Sequence, residues 1–237
     1  MNLDLINKKY WEELPAKEII GRNALPGNEL TNVLLPGSSI LDLGCGTGEM
    51  AEFLSAKGYE VTGMDLNVDA INQNRLKKTK VKYICGDVTK PLPFAAKSFN
   101  AIVISFLLVN IIPLARREKL VLEMTRVLKT NGHIWLNEGL LSDDYADRYK
   151  LSKPFVDDES TFFVFKKNSL SSSIKTVDQL NQAIKGKDIA RLAHHFTLGE
   201  LKNLFHDYFV VYQNESQTIS PNTKFKIKMI VMVLQHH

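Results

Sequence analysis

Three glycines at alternate positions, Gly44, Gly46 and Gly48, follow directly on the apolar run Ile40–Leu43 and precede a helical pattern that begins at Glu49. Glycine lets the chain turn tightly there and lets a ligand lie against bare backbone. A second β-rich run, Tyr59–Met64, ends on Asp65, seventeen residues after Gly48 (65 minus 48). In a doubly wound sheet, two such strands end side by side at one crevice. A carboxylate there can accept two hydrogen bonds from a ribose diol, and bonds to a charged acceptor are the stronger kind. The two features together predict a nucleoside site. The spacing is G-x-G-x-G, and Glu49 stands where a dinucleotide fingerprint requires Gly or Ala, which disfavours an NAD enzyme. No Gly-Lys-Ser/Thr follows, which excludes a P-loop.

The elements that must position these residues follow from periodicity. Ser39–Leu43 reads as a buried strand after the turn signal Pro36-Gly37, and Glu49–Lys57 as a helix ended by Gly58. Val68–Leu76 reads as a helix and Val81–Cys85 as a third strand. Ala101–Ser105 is a fourth, whose unbroken Ala-Ile-Val-Ile suits a parallel strand covered on both faces. Arg116–Lys129 carries Leu120, Val121, Met124, Val127 and Leu128 at helical spacing, Asn131-Gly132 ends it, and His133–Asn137 is a fifth strand. This βαβ rhythm predicts an α/β fold with a doubly wound, mostly parallel sheet and helices on both faces. The rhythm breaks after residue 138. Residues 140–160 are polar and acidic, Thr161–Phe165 is strand-like, and a short helix is expected around Val177–Ile184. Thr197 and Glu200 form a capping-box pattern that starts a helix running to about Phe205. Strands at Tyr208–Gln213 and Phe225–Leu234 close a sheet of seven. The stretch 140–196 is too long for a plain loop and is expected to be an insertion with its own structure.

Composition narrows the class. The chain has 237 residues, 44% hydrophobic and 24% charged, which excludes a disordered or fibrous protein. Thirty Lys+Arg against 26 Asp+Glu leave a net charge of +4, too mild to argue for nucleic acid. The longest apolar run, Ala101–Val109, is broken by Ser105 and falls far short of the roughly 20 residues of a membrane span. The start Met1-Asn2-Leu3-Asp4-Leu5 has no secretory signal pattern. Cys45 and Cys85 form no CxxC, so neither a disulfide framework nor a metal site is expected, and a cytoplasmic location is. His236 and His237 carry no functional weight.

Five segments in order over residues 38–137 resemble the class I S-adenosylmethionine-dependent methyltransferases, of the small-molecule type. Leu41–Gly48 resembles the family's first motif, and Val61–Leu66 its second strand with a ribose-binding acid. Cys85-Gly86-Asp87-Val88 resembles the segment whose acid meets the adenine amino group. Ser98–Val103 is similar to the fourth-strand segment, with Asn100 in place of the usual Asp. Glu123–His133 resembles the "RVLKPGG" signature and departs from it at Thr130, Asn131 and His133. Within it, Arg126 and Lys129 read as structural.

The resemblance implies a Rossmann-like fold and S-adenosylmethionine as cofactor. It implies that Gly44, Cys45 and Gly46 hold the methionine part, Asp65 the ribose with Leu66 on the adenine, and Asp87 with Val88 the adenine amino group. Ser105 and Phe106 would lie near the sulfonium. Tyr10 and Arg22 fall where related enzymes place a lid and a contact to the cofactor's carboxylate. The chain would then divide into a helical lid (1–37), a cofactor half (38–139), an insertion over the acceptor (140–196), and a final helix with two strands (197–237). His194, His195 and Tyr149 are the acid–base candidates in the insertion. A small-molecule acceptor methylated at O, N or C is the leading expectation. RNA or protein methylation, suggested by Arg75, Lys77, Lys78, Lys80 and Lys82, and a non-catalytic nucleoside-binding module stay open.

Overall fold

The computed structural model describes residues 3–19, 25–156, 158–165, 176–186, 189–219 and 226–236, so Arg22 and Phe225 lie outside the described residues. The N-terminal segment holds α1 (Leu3–Glu13) and the short α2 (Asn28–Thr31). The βα alternation follows: β1 (Ser39–Leu43), α3 (Glu49–Ala56), β2 (Glu60–Asp65), α4 (Val68–Arg75), β3 (Lys82–Cys85), β4 (Phe99–Ser105), α5 (Leu114–Val127) and β5 (Leu128–Leu140). Then come α6 (Ala146–Ser152), β6 (Thr161–Phe165), α7 (Val177–Lys185), β7 (Ile189–His194), α8 (Leu198–Leu204), β8 (Tyr208–Ile219) and β9 (Lys226–His236).

Among the described residues the main sheet has seven strands in the order β3-β2-β1-β4-β5-β9-β8. β1 to β5 pair in parallel, and β9 returns antiparallel between β5 and β8. The chain steps outward from β1 to β3 and then returns to lay β4 on the other side of β1. That reversal opens a crevice at the C-terminal ends of β1 and β4, where such sheets bind ligands.

The central strands form as expected because both of their faces are covered. Ala101, Ile102, Val103 and Ile104 are all fully buried. Alternation sends Leu41, Ile102 and Ile104 into one core and Ile40, Ala101 and Val103 into the other. Asn100 fills the acceptor role an Asp would have: its Oδ1 accepts from the Ser39 amide at 3.0 Å, the Ser39 hydroxyl at 2.8 Å and Lys129 Nζ at 2.9 Å. Arg126 donates to the Phe94 and Leu92 carbonyls, tying α5 to the loop before β4.

Several boundaries, and one whole strand, differ from expectation for physical reasons. β4 begins at Phe99, two residues earlier than its apolar run, because Phe99 pairs with Leu128. Helix α5 stops at Val127 rather than Lys129, since the chain is already strand-paired at Leu128 and bulges before His133 pairs with Ala101. Asn131 takes a left-handed φ of 61° in that bulge, a conformation asparagine tolerates. β8 runs to Ile219 through the polar Gln213–Thr218, because an exposed edge strand has no core face to show in its sequence. β7 was not expected as a strand. Its alanines and central Arg191 hide it, and pairing with β6 decides it.

Strands β6 and β7 form a separate two-stranded antiparallel sheet, to which α1 is fastened. The buried Asn7 donates to the Asn110 carbonyl at 2.7 Å and the Leu192 carbonyl at 3.0 Å, and accepts from the Leu192 amide at 2.6 Å. Asn67 Nδ2 holds the other end through the Trp11 and Leu14 carbonyls. Asn7→Ala leaves three backbone groups short of a partner and should cost about 1–3 kcal/mol locally. Hydrogen exchange should rise across α1 while β1 and β4 keep their protection. Unchanged exchange in α1 would show that Asn7 does not fasten it.

Candidate functional site

A cavity of about 990 Å³ lies at the sheet's switch point. The loop after β1 enters it with Gly44 at φ +73° and Gly46 at φ +49°. A Cβ on Gly44 would stand 3.0 Å from Leu107 Cδ1, and one on Gly46 3.2 Å from Ile19 Cγ2. Side chains other than glycine would therefore both strain the turn and fill the cradle. The turn is pinned to β2, since the Gly44 and Cys45 amides donate to the Met64 carbonyl at 2.8 and 3.2 Å.

Asp65, at the end of β2, accepts from the Gly46 amide through Oδ2 and from the Asn67 amide through Oδ1, each at 2.8 Å. Burial pushes its carboxyl up, and the Asn67, Gly46 and Leu66 amides oppose that rise. Asp87 accepts from the Thr89 amide and hydroxyl through Oδ1 and from Lys8 Nζ of α1 through Oδ2 at 3.2 Å. Burial alone would raise the Asp87 carboxyl, but the Thr89 and Lys8 bonds outweigh it and hold it below its ordinary value.

Every described residue expected near the cofactor lines this one cavity: Tyr10, Gly44, Cys45, Gly46, Asp65, Leu66, Asp87, Val88, Ser105 and Phe106. Phe106 has φ +52°, an uncommon conformation for an aromatic residue that costs of order 1–3 kcal/mol and persists only where neighbours enforce it. Its amide donates to the Asn137 carbonyl at 2.8 Å, and its carbonyl accepts from Asn110 Nδ2 at 2.6 Å. The acid–base candidates divide. His195 lines the cavity, and its Nδ1 is 3.0 Å from the Tyr149 hydroxyl; Tyr149 stands behind it, outside the lining. His194 faces away, because successive strand residues point to opposite faces. Its Nδ1 meets Asp158 at 2.9 Å and Thr161 at 3.1 Å in a buried cluster beneath β6.

Sequence reasoning gave no role to two carboxylates that shape the site. Asp42, in β1, lines the cavity, and its buried Oδ2 has no partner among the described residues. Burial first, and the Asp65 charge second, push its carboxyl up to about 8. Glu138, in β5, is fully buried and accepts from the amides of Leu107, Leu108 and Val109, holding the turn after β4. Each is a lone carboxylate in an apolar strand run, which is the signal that could have found it. Lys8 had no such signal, being 79 residues from Asp87 in the chain.

The site's donor set fits an adenosyl sulfonium amino acid. Bare backbone at Gly44–Gly46 admits the ligand, Asp65 can meet a diol, and the unpartnered Asp42 oxygen can accept from an ammonium. Ligand donors need these carboxylates ionised, so binding should release protons. S-adenosylhomocysteine should bind more tightly as pH rises towards about 8, the raised value of Asp42, and level off above it, in line with carboxyls raised by burial. Calorimetry in buffers of different ionisation enthalpy checks this, and affinity that is flat or falling over that range would contradict it.

Among the described residues no group of three or more His, Cys, Asp or Glu could hold a metal, and no helix is long and apolar enough to cross a membrane. Residues 41–136 match the model of a methyltransferase domain family. The demethylmenaquinone methyltransferase of Beutenbergia cavernae is 33% identical over 150 residues, 63% of this chain and 59% of that protein. That of Renibacterium salmoninarum is 34% identical over 104 residues, 44% of this chain and 42% of its own. The chain thus spans about half the length of these curated relatives. A SAM-dependent methyltransferase structure from Methanosarcina mazei shares the fold, with a TM-score of 0.74 over 90% of this chain and 98% of that one at 24% identity. The ordered motifs, the matching domain and the shared fold agree: residues 41–136 are similar to a methyltransferase domain, and the chain has the fold of a SAM-dependent methyltransferase.

Proposed function

We propose that the protein transfers the methyl group of S-adenosylmethionine to an O, N or C nucleophile on a small molecule. One observation carries this reading: a single cavity joins the glycine loop, Asp65 and Asp87 to a second wall built from α6, β6 and β7. In this reading the N-terminal segment (1–37) covers the cofactor, residues 38–139 hold it, 140–196 cover the acceptor, and 197–237 complete the sheet. The names of the curated relatives, which act on a demethylmenaquinone, support a small acceptor. The basic cluster favours nucleic acid less than its composition suggests, since Arg75 donates to the Tyr83 carbonyl and Lys77 pairs with Glu52.

S-adenosylmethionine, when bound, supplies a methyl group on a sulfonium sulfur, open to in-line attack. The chain's own residues orient and enclose. The Gly44–Gly46 backbone, Asp42, Asp65 and Asp87 fix the donor, and the strained Phe106 turn closes the space beside it. Orientation of this kind is worth about 7–11 kcal/mol, more than a single base supplies. His195 takes the proton released by an O or N acceptor. In the tautomer that donates from Nδ1 to the Tyr149 oxygen, its Nε2 carries the accepting lone pair. Burial pushes the Tyr149 hydroxyl up, so it stays an O–H and positions the imidazole.

Incubation with S-adenosylmethionine and a panel of small nucleophiles should give S-adenosylhomocysteine and an acceptor heavier by one CH2, read by mass spectrometry. His195→Ala should lower kcat about 100-fold on an O or N acceptor while leaving S-adenosylhomocysteine affinity within about twofold. Unchanged kcat would remove His195 as base and leave the transferase reading intact. Cofactor binding with no turnover across the panel would instead favour a non-catalytic module.

A further inference from the structure

β8, at the edge of the sheet, is exposed on both faces. Tyr208 is buried, and the eleven residues after it, through Ile219, are exposed. Val210 is 44% exposed, Val211 46% and Tyr212 37%, so three large apolar side chains in a row meet solvent. Pairing with β9 slips between Val210 and Tyr212, and Val211 is the extra residue of a bulge, which re-aims its side chain relative to strict alternation.

Among the described residues β8 has β9 on one side and no strand on the other. From Val210 onward, every second N–H and C=O on that side lacks a strand partner. Edge strands are ordinarily guarded by brevity, charge or proline. The opposite edge of the same sheet is guarded in this way, since β3 has four residues and opens on Lys82. β8 has twelve, a length of about 40 Å at roughly 3.3 Å per residue. Glu215 is its one charged residue, and it holds no proline.

The chemistry of this edge specifies its occupant. Unpaired backbone calls for another strand. Apolar side chains on both faces call for a strand that is apolar at successive positions, and β8 of a second copy supplies one. A two-fold axis perpendicular to the sheet within Val210–Tyr212 would set the two strands antiparallel. This stretch of one copy then meets the same stretch of the other, in an isologous contact that closes at two. Glu215 lies off that axis and does not face its counterpart, so the strand's own charge is not set against itself. The cavity stays open, because its wall reaches the hairpin at Ile227, whose partner Thr218 is six residues beyond Tyr212 (218 minus 212).

We infer that the protein pairs with a second copy of itself through β8, joining the two seven-stranded sheets into one continuous sheet. Pairing through a single strand falls at the small end of protein interfaces, so the dimer should dissociate with a Kd on the order of 10 μM.

Sedimentation velocity from about 1 to about 200 μM brackets that value. The mass should rise from one chain to two and stop there. Val211→Lys and Tyr212→Lys place like charges near the axis and should each raise the dimer Kd at least about tenfold. Ile219→Lys, at the far end of the strand, should leave it within about twofold. All three positions are exposed in the single chain, so the variants should keep the wild-type Tm, which checks that they fold. Wild type that stays one chain at the highest concentration, a mass that grows past two chains, a dimer that survives both Val211→Lys and Tyr212→Lys, or one that Ile219→Lys disrupts equally would overturn the inference. None of these outcomes bears on the transferase reading, which stands or falls with S-adenosylhomocysteine binding and turnover.

Discussion

Asp65→Ala should weaken S-adenosylhomocysteine binding by about 100-fold. Two hydrogen bonds from a diol to an ionised carboxylate are together worth roughly 3 kcal/mol, and each 1.4 kcal/mol is tenfold. The same carboxylate accepts from the Gly46 and Asn67 amides, so its removal also loosens the glycine loop against β2. Asp65→Asn separates the two effects. An amide keeps one accepting oxygen for Asn67 but turns an NH2 toward the Gly46 amide, so affinity should fall by about tenfold while the fold persists. Calorimetry on both variants, with thermal unfolding as a control for folding, reads the outcome. Affinity within twofold of wild type for Asp65→Ala would mean that the acid at the end of β2 holds no ligand.

The largest stability change should come from Glu138→Ala. It leaves the buried amides of Leu107, Leu108 and Val109 without their acceptor, for a loss of about 3–5 kcal/mol in urea unfolding. The turn they belong to carries Phe106, so methyl transfer should fall as well. Glu138 also carries a pH signature. Burial pushes its carboxyl up to about 8, although the three amides and Arg117 oppose this. Between its ordinary value of 4.5 and about 8, the folded state holds a proton that the unfolded chain has lost. Glu138 therefore makes stability fall as pH rises through that window, by up to about 1.4 kcal/mol per unit. Asp42 adds to the slope in the same direction, whereas Asp87 and Asp158, held below their ordinary values, act in the more acidic range. Glu138→Gln should flatten the decline in Tm between pH 5 and 8. A loss under about 1 kcal/mol for Glu138→Ala, or an unaltered pH profile for Glu138→Gln, would contradict this role.

The parallel core was legible because its physics is local. A strand buried on both faces must be apolar at every position, and Ala101–Ile104 is; a turn that approaches a ligand must shed side chains, and Gly44–Gly48 does. The same holds for α8, whose capping box closes as its sequence implies, with the Glu200 amide 3.1 Å from Thr197 Oγ1. What stayed hidden depends on contacts between distant parts of the chain. β7 owes its existence to β6, and α1 is fastened by Asn7 to a strand 185 residues away. His194 and His195 look equivalent in sequence, and only the pairing of β7 decides which of them faces the cavity. Asp42 and Glu138 were visible as carboxylates in apolar runs, but what acts on them, the Asp65 charge on Asp42 and the 107–109 amides on Glu138, comes from other segments, which no local pattern reveals.

In the proposed complex an adenosyl group lies across the bare backbone between β1 and α3, tethered to the neighbouring strand. A crystal structure of the protein grown with S-adenosylhomocysteine tests this most directly. Its ribose hydroxyls should lie about 2.6–3.2 Å from the Asp65 carboxylate, with the adenine between Leu66 and Val88 and the amino acid end against Gly44 and Gly46. Ligand density elsewhere, or a cradle closed over by the Leu107 and Ile19 side chains with the ligand excluded, would contradict it.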